Sequence, residues 1–383
     1  MKKNILHVVN IFFVIPYFLG EQLRYFKSKG YKEHIACSPS SELSGYAQKM
    51  EFDFIEAPIC RSISLIKDVK AIFQIANYIK KKNIDIVTGH TPKGAIIAMS
   101  AAWIKRVPKR IYFRHGLVFE TSHGLKRWLL VSIDKIASAL ATDIVNVSPS
   151  VMEKSIDNKL GSKRKNIILG NGTCNGIDLD RFCRKNVDIE RVNALKTKYG
   201  INDDDFVIGF TGRLVRDKGI IELIESFKTI HSQQPNTKLL LVGMLEERDA
   251  LPQTVVDEIR NNKDIIDTGY VSYADINLYY AMMNVFVLPS YREGFPTSVL
   301  EASAMEIPVL TTRETGCVDS IVEGETGLFI DHNSDSIYNA IKFLMSTPDI
   351  CRSLGNAGQT MVKTKFSQEH IWKEIEEKLY DKN

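Results

Sequence analysis

No stretch of this 383-residue chain approaches the ~20 consecutive apolar residues that cross a bilayer, so a spanning helix is not expected. The six cysteines, at 37, 60, 174, 183, 317 and 351, are scattered and form no Cys-x-x-Cys pair. Neither a disulfide framework nor a zinc site is indicated, and a reducing cytosol is the expected compartment. A recognition motif and the basic–aromatic repeat of an RNA binder are also missing, so nucleic acid is not an expected partner. The N-terminus imitates a signal peptide, with Lys2 and Lys3 ahead of an apolar stretch to Gly20. His7, Asn10 and Pro16 interrupt that stretch, and no small-x-small cleavage site follows. Ile5–Asn10 reads instead as a first strand.

What the chain does contain is ordinary core material, with 44% apolar residues and a length suited to two or three domains. Its net charge of +4 is unevenly placed. Residues 1–185 hold 30 Lys/Arg against 15 Asp/Glu, a balance of +15, and residues 186–383 carry −11. A basic half of this kind faces an anionic partner or is simply a solvated surface.

Short apolar runs alternate with helical patterns throughout. In the first half the runs are Ile5–Asn10, His34–Ser38, Phe54–Ile59, Ile84–Gly89, Arg110–Arg114, Asp143–Val147 and Asn166–Leu169. In the second they are Val207–Thr211, Lys238–Val242, Ile265–Gly269, Val285–Leu288, Val309–Thr312 and Leu328–Ile330. Ile72, Ile75, Ala76 and Ile79 recur at helical spacing within Val69–Lys82. Alternation of this kind predicts parallel sheets covered on both faces. The Gly-, Asn- and Asp-rich segment near Gly172–Asn186 is the expected boundary, followed by a polar helical stretch at 187–199.

Several segments carry candidate chemistry. After the run Val285–Leu288, a turn and a helix opening near Thr297 place Glu293 and Glu301 about a helix N-terminus at the carboxyl end of a strand. Helix-terminal amides suit phosphate, and carboxylates suit sugar hydroxyls. Two glutamates are equally explained as charges stabilised by the helix dipole. Gly209–Gly219 breaks at Gly212 and supplies Arg213 and Lys218, cations suited to a pyrophosphate or merely solvated in a loop. Thr268-Gly269-Tyr270-Val271 ends another strand, and the tyrosine serves a ligand or a core. His115, in Arg114-His115-Gly116, follows a strand and is a site residue or a satisfied structural histidine. His90-Thr-Pro-Lys93-Gly94 opens a helix after a strand, as a contact for an acceptor phosphate or a plain turn.

The whole phrase around the glutamates, "YREGFPTSVLEASA" followed by "PVLTT", resembles the donor-site signature of glycosyltransferase family 4. The resemblance extends to "GR…KG" at Gly212–Gly219 and to the "NGID…F" linker, matched by Asn175, Gly176, Ile177, Asp178 and Phe182. It implies a GT-B fold, two Rossmann-like, doubly wound α/β domains facing across a cleft. Residues 1–180 would bind the acceptor, residues 187–365 the nucleotide-sugar donor, and an amphipathic helix at 366–383, with Ile371, Trp372, Ile375 and Leu379 on one face, would cross back to the first domain.

The implied reaction is retaining transfer of a hexose or N-acetylhexosamine from a UDP-sugar, or alternatively of mannose from GDP-mannose. Arg213 and Lys218 would stabilise the leaving phosphate, Glu293 would hold sugar hydroxyls, and Glu301 the ribose. Gly212 and the backbone of Gly294, Phe295, Thr297 and Ser298 would line the sugar and phosphates, and Tyr270 the base. His115 would face the donor sugar, with Lys93 and Gly94 near the acceptor. No cofactor is implied and no Asp-x-Asp metal site is needed, because the two cations replace it. A nucleotide-sugar epimerase and a non-catalytic nucleotide-sugar binder of the same fold are the alternative classes.

Two departures from the family pattern stand out. The loop Asn10–Gly20 lacks the usual Gly pair, and its aromatic residues predict a lip that holds lipid or dips into a membrane. Glu306-Ile307 precedes Pro308 where a glycine is usual. With the basic first half, the lip favours a polyprenyl-pyrophosphate-linked glycan acceptor in bacterial surface polysaccharide or capsule assembly. The expected location is the cytoplasm, peripheral to the anionic inner face of the inner membrane.

Overall fold

A computed structural model describes residues 3–60, 64–247 and 249–381. The chain divides into two compact units, Met1–Gly176 with Gln368–Asn383, and Ile177–Ser367. Each is an α/β unit built on one parallel sheet.

In the first unit the strands are β1 (Asn4–Val8), β2 (Lys32–Cys37), β3 (Asp53–Glu56), β4 (Ile86–His90), β5 (Lys109–Arg114), β6 (Asp143–Asn146) and β7 (Asn166–Ile167). They lie in the order 3-2-1-4-5-6-7, every pairing parallel. Both sheet faces are covered, which is why the strands read as apolar runs and not as alternating patterns. Leu6, Val8, Val87, Tyr112 and Ile144 pack under the helices at 65–82 and 92–104. On the opposite face, Val9, Ile35 and Cys37 meet Ile15, Leu19, Leu23 and Leu43. Strand order reverses between β1 and β4, the switch point at which open sheets of this kind leave a crevice.

In the second unit the strands are β8 (Phe206–Thr211), β9 (Thr237–Val242), β10 (Ile265–Asp267), β11 (Val285–Leu288), β12 (Val309–Thr311) and β13 (Gly327–Phe329). Their order is 10-9-8-11-12-13, again all parallel, with the reversal between β8 and β11. The helix predicted at 187–199 runs Ile189–Tyr199. Asp188 caps its start by accepting from the Arg191 amide, and Gly200 ends it.

Two expectations are corrected. The aromatic segment after β1 is not an open lip: it forms a helical turn at Ile15–Phe18, Ile15 and Leu19 are buried, and Phe12, Val14 and Phe18 pack on the core. Phe13 remains 40% exposed. With so many apolar side chains in one short segment, burial under the sheet outweighs display to solvent. The terminal helix starts at Gln368, not 366, and passes through a wider turn at Glu376–Tyr380; positions 382 and 383 lie outside the described residues. Its Ile371, Trp372, Ile375 and Leu379 are buried, and the Trp372 indole donates to Asn175 at 2.9 Å. Glu306 adopts the left-handed backbone, φ 59°, that explains why a glycine suits this position. Its carboxylate accepts from Gln359 at 2.6 Å.

Candidate functional site

The switch point of the second unit gathers the segments that follow β8 and β11. After β8 the chain passes Gly212 and Arg213 and forms a short turn at Arg216–Lys218. Gly219 then starts the helix Ile220–Gln233 with φ 71°, and a Cβ there would stand 2.2 Å from the Pro289 carbonyl oxygen. Only glycine lets the two loops come this close. The result is a direct contact between side chains 75 residues apart: Lys218 Nζ donates to Glu293 Oε1. The same carboxylate oxygen accepts from the Ser290 hydroxyl at 2.9 Å, and the Glu293 amide donates to the Thr315 carbonyl at 3.3 Å. Lys218 and Glu293 are both largely covered, so each sits in one defined position.

Around this pair, Arg292 bonds Asp217 at 3.0 Å, and the Tyr291 amide donates to the Asp217 carbonyl at 2.9 Å. These contacts tie the loop after β11 to the turn after β8. Arg213 is half-exposed and paired with Glu246, from the loop after β9. Gly294 and Phe295 are buried, and the helix Thr297–Ala304 begins behind Pro296 with no side-chain cap. Its first amides are thus left to other partners. Tyr270 is exposed, placed by Gly269 just past β10.

Glu301 stands in the second turn of the helix Thr297–Ala304. It is buried and accepts from the Tyr280 hydroxyl at 2.8 Å. Burial pushes its carboxyl up to about 7, opposed by the Tyr280 hydrogen bond and the positive charge of Arg181. Tyr280, Arg181, Ser290, Glu246 and the Thr315 backbone are the neighbours that sequence reasoning missed. No spacing rule links residues on separate strands and loops. A signal existed only for Gly243, a glycine directly after a strand: a Cβ there would lie 1.9 Å from the Gly212 carbonyl oxygen.

In the first unit, His115 lies just past β5 with its ring stacked on Phe18, centroids 3.8 Å apart. Burial pushes its pKa down to about 3, so the ring is neutral. The neighbouring Arg114 points the other way and is wholly buried, bonded to Asp134, Ser138, Asn146 and Asn166. Lys93 is paired with Asp68, and the Gly94 amide donates to the Thr91 hydroxyl at 3.2 Å, a helix cap. Both groups read as acceptor contacts therefore already have structural partners.

Residues 192–361 match the family model described as "Glycosyl transferases group 1", and residues 5–148 match "Glycosyl transferase 4-like". The capsular polysaccharide biosynthesis glycosyltransferase CapM of Staphylococcus aureus is 36% identical over 377 residues, covering 98% of this chain and 96% of that protein. The chain belongs to the family-4-like glycosyltransferases. It is therefore a transferase enzyme of GT-B fold. A further relative in the family is the UDP-Gal:alpha-D-GlcNAc-diphosphoundecaprenol alpha-1,3-galactosyltransferase of Escherichia coli, 27% identical over 317 residues, with 80% of this chain and 78% of that protein covered. Among solved structures, Anabaena Alr3699/HepE in complex with UDP and glucose superposes with a TM-score of 0.80 at 16% identity, over 100% of both chains. At that identity the likeness speaks for the fold.

Proposed function

We propose that this glycosyltransferase moves a hexose or N-acetylhexosamine from a UDP-sugar, with retention, to a polyprenyl-pyrophosphate-linked glycan in the assembly of a capsule or related surface polysaccharide. The observation that carries the reading is the Lys218–Glu293 pair at the switch point between β8 and β11. A cation for the leaving diphosphate and a carboxylate for sugar hydroxyls stand in contact, beside the uncapped start of a helix. Relatives named for capsule synthesis and for a diphosphoundecaprenol-linked acceptor, and a fold neighbour holding UDP, support the donor and acceptor classes.

In the proposed step the bond from C1 to the phosphate oxygen breaks as the acceptor hydroxyl attacks the same face. The released phosphate oxygen takes the hydroxyl proton. Lys218 and Arg213 stabilise the charge that develops on the diphosphate, with no metal ion assigned to the site. Glu293 holds the reacting sugar, Glu301 the ribose, and the backbone after β10 at Tyr270 the base.

No helix among the described residues is long and apolar enough to cross a membrane. The first unit nonetheless displays Leu65 and Ile66, 78% and 86% exposed, at the start of one helix. Leu125 and Trp128, 79% and 65% exposed, stand at the start of another. Lys67, Lys70, Lys126 and Arg127 are exposed beside them. Apolar side chains with basic neighbours suit peripheral binding at an anionic cytoplasmic membrane face. These helices thus replace the loop after β1 as the proposed membrane contact.

The test is turnover of UDP-sugars and GDP-mannose with a polyprenyl-diphosphate glycan in neutral or anionic vesicles, the anomeric configuration of the product being read by NMR. A UDP-sugar is expected to react with retention, faster on anionic vesicles and more slowly as salt rises. Turnover confined to GDP-mannose, inversion, or indifference to lipid charge would each overturn the corresponding part.

Glu301 makes a separate expectation about pH. A ribose hydroxyl donates to the carboxylate form, while the buried carboxyl by itself holds a proton up to about pH 7. Nucleotide affinity should therefore rise as pH increases through 7, with about a tenfold loss per unit below it. Glu301→Gln should weaken binding and flatten that profile in calorimetric titrations between mildly acidic and mildly basic pH. An unchanged pH profile in the variant would remove Glu301 from the ribose site. For folding the sign is opposite. The raised carboxyl contributes stability that is full below the unfolded value near 4.5 and is lost as pH rises through 7.

A further inference from the structure

A continuous row of polar groups crosses the buried face of the first unit's sheet, from Glu33 on β2 to His115 beyond β5. Glu33 Oε2 meets His7 Nε2 at 2.8 Å. His7 Nδ1 meets the Thr88 hydroxyl at 2.7 Å, and that hydroxyl meets His90 Nε2 at 3.1 Å. His90 Nδ1 then meets His115 Nε2 at 3.1 Å. Cys174 Sγ lies 3.6 Å from the last free ring position, His115 Nδ1. Parallel register builds the row. His7 pairs with Thr88, and His90 with Phe113, while His90 and His115 each sit two residues further along the same face. Glu33, His7, Thr88 and His90 are all at least nine-tenths buried.

The proton positions along this row follow from its end. A carboxylate only accepts, so His7 must carry its proton on Nε2 toward Glu33. With one proton per ring, His7 Nδ1 is then an acceptor and takes the Thr88 hydroxyl hydrogen. Thr88 oxygen accepts from His90 Nε2–H, and His90 Nδ1 accepts from His115 Nε2–H. Each link satisfies the next, and only a second proton on His7 would let the row run the other way. Burial keeps His90 and His115 neutral, and it pushes the Cys174 thiol up to about 12, so the thiol stays protonated and can donate.

We infer that Glu33 is a positioning residue: through His7, Thr88 and His90 it holds His115 in the Nε2–H tautomer, so that Nδ1 accepts a hydrogen bond. An acceptor nitrogen recognises a sugar hydroxyl and not a phosphate oxygen. The Cys174 thiol, a weak donor, holds that place until a stronger O–H donor replaces it. The inference rests on the reading of His115 as a sugar contact, and it adds a carboxylate on β2 that no motif marks.

The experiment is NMR of the histidine ring nitrogens in the full-length protein labelled at histidine, without substrate, together with steady-state kinetics of Glu33→Gln and Thr88→Val. In the unaltered protein His7, His90 and His115 should all show protonated Nε2 and bare Nδ1. Glu33→Gln presents an amide that both gives and takes, and Thr88→Val cuts the row without changing its shape. Either should mix the tautomers of His115 and lower kcat/KM by roughly 10- to 100-fold, the range found when the partner that orients a metal-bound imidazole is lost. Glu33→Asp, a shorter carboxylate, should restore the single tautomer. A proton on His115 Nδ1, or a doubly protonated His7, in the unaltered protein would overturn the inference whatever the variants do. Loss of activity with the His115 signals unchanged would reduce Glu33 to a packing role and overturn it as well. Unchanged kcat/KM in His115→Ala, with the tautomers as expected, would instead overturn the sugar contact on which it rests.

Discussion

Replacing Lys218 by alanine should lower kcat by roughly 10²–10³-fold, the loss typical of removing one fixed donor aimed at charge that develops in the transition state. The ammonium is held at one place by Glu293, which is itself held by Ser290 and by the Thr315 backbone. A preformed cation costs no reorganisation when the diphosphate departs, and this is why its removal falls on kcat. The fold should survive, because Lys218 closes a short turn outside the sheet and the hydrophobic core, although a largely covered Glu293 loses its partner. Arg213→Ala should fall in the same range. Glu293→Gln should also act on kcat, since contacts to the reacting sugar tighten as its ring flattens, whereas Glu301→Gln should act mainly on the donor KM. Steady-state rates at saturating donor, with circular dichroism as the control for folding, decide the matter. Near-full turnover in Lys218→Ala would show that the leaving group is stabilised elsewhere.

Replacing Asp134 by alanine should destabilise the first unit by about 3–5 kcal/mol, because it strands the buried charge of Arg114. The Arg114 guanidinium has no exposed surface; it donates to Asp134 at 2.7 Å, Ser138 at 2.8 Å and Asn146 at 2.9 Å. The Tyr112 hydroxyl donates to the other Asp134 oxygen at 3.0 Å, so the substitution also orphans a buried phenol. Combining Asp134→Ala with Arg114→Met should cost less than the sum of the two single changes, since the second removes the charge that the first strands. The tryptophans offer a selective probe. All three, Trp103, Trp128 and Trp372, lie in the first unit, so their fluorescence during urea unfolding follows that unit. A midpoint within a few tenths of a molar of the unaltered protein would mean that water reaches Arg114 and relieves its charge.

Arg114 and His115 show how far a sequence reading can go. The strand before them was legible because apolar residues in a short run, bounded by turn residues, need no distant partner to be recognised. Which of the two adjacent side chains enters the core was not legible. Alternation assigns them to opposite faces, but the faces are told apart only by what packs on them. The structure buries the arginine among Asp134, Ser138, Asn146 and Asn166, and it sets the histidine at the end of a row reaching back to Glu33. The aromatic segment after β1 failed for the same reason. Its composition reads equally as a lip or as core, and only the sheet beneath it decides that Ile15 and Leu19 are buried.

In the second unit the order of the motifs along the chain was enough to place Lys218 after one strand and Glu293 after another. Each is tied to a local signal, a glycine break or a helix start, that depends on a few neighbouring residues. Their contact was decided by strand order, because β8 and β11 are neighbours only after the chain has passed through β9 and β10 on the far side of β8. The protonation of Glu301 belongs to the same class. Its position at the helix start was readable, but its carboxyl is raised by burial, a rise that the hydrogen bond from Tyr280, a neighbour supplied by another element, only partly opposes. Local backbone preference and hydrophobic pattern are properties of a short window of sequence. Contact between distant side chains, and the dielectric around a charge, exist only once the sheet has closed and water has been excluded.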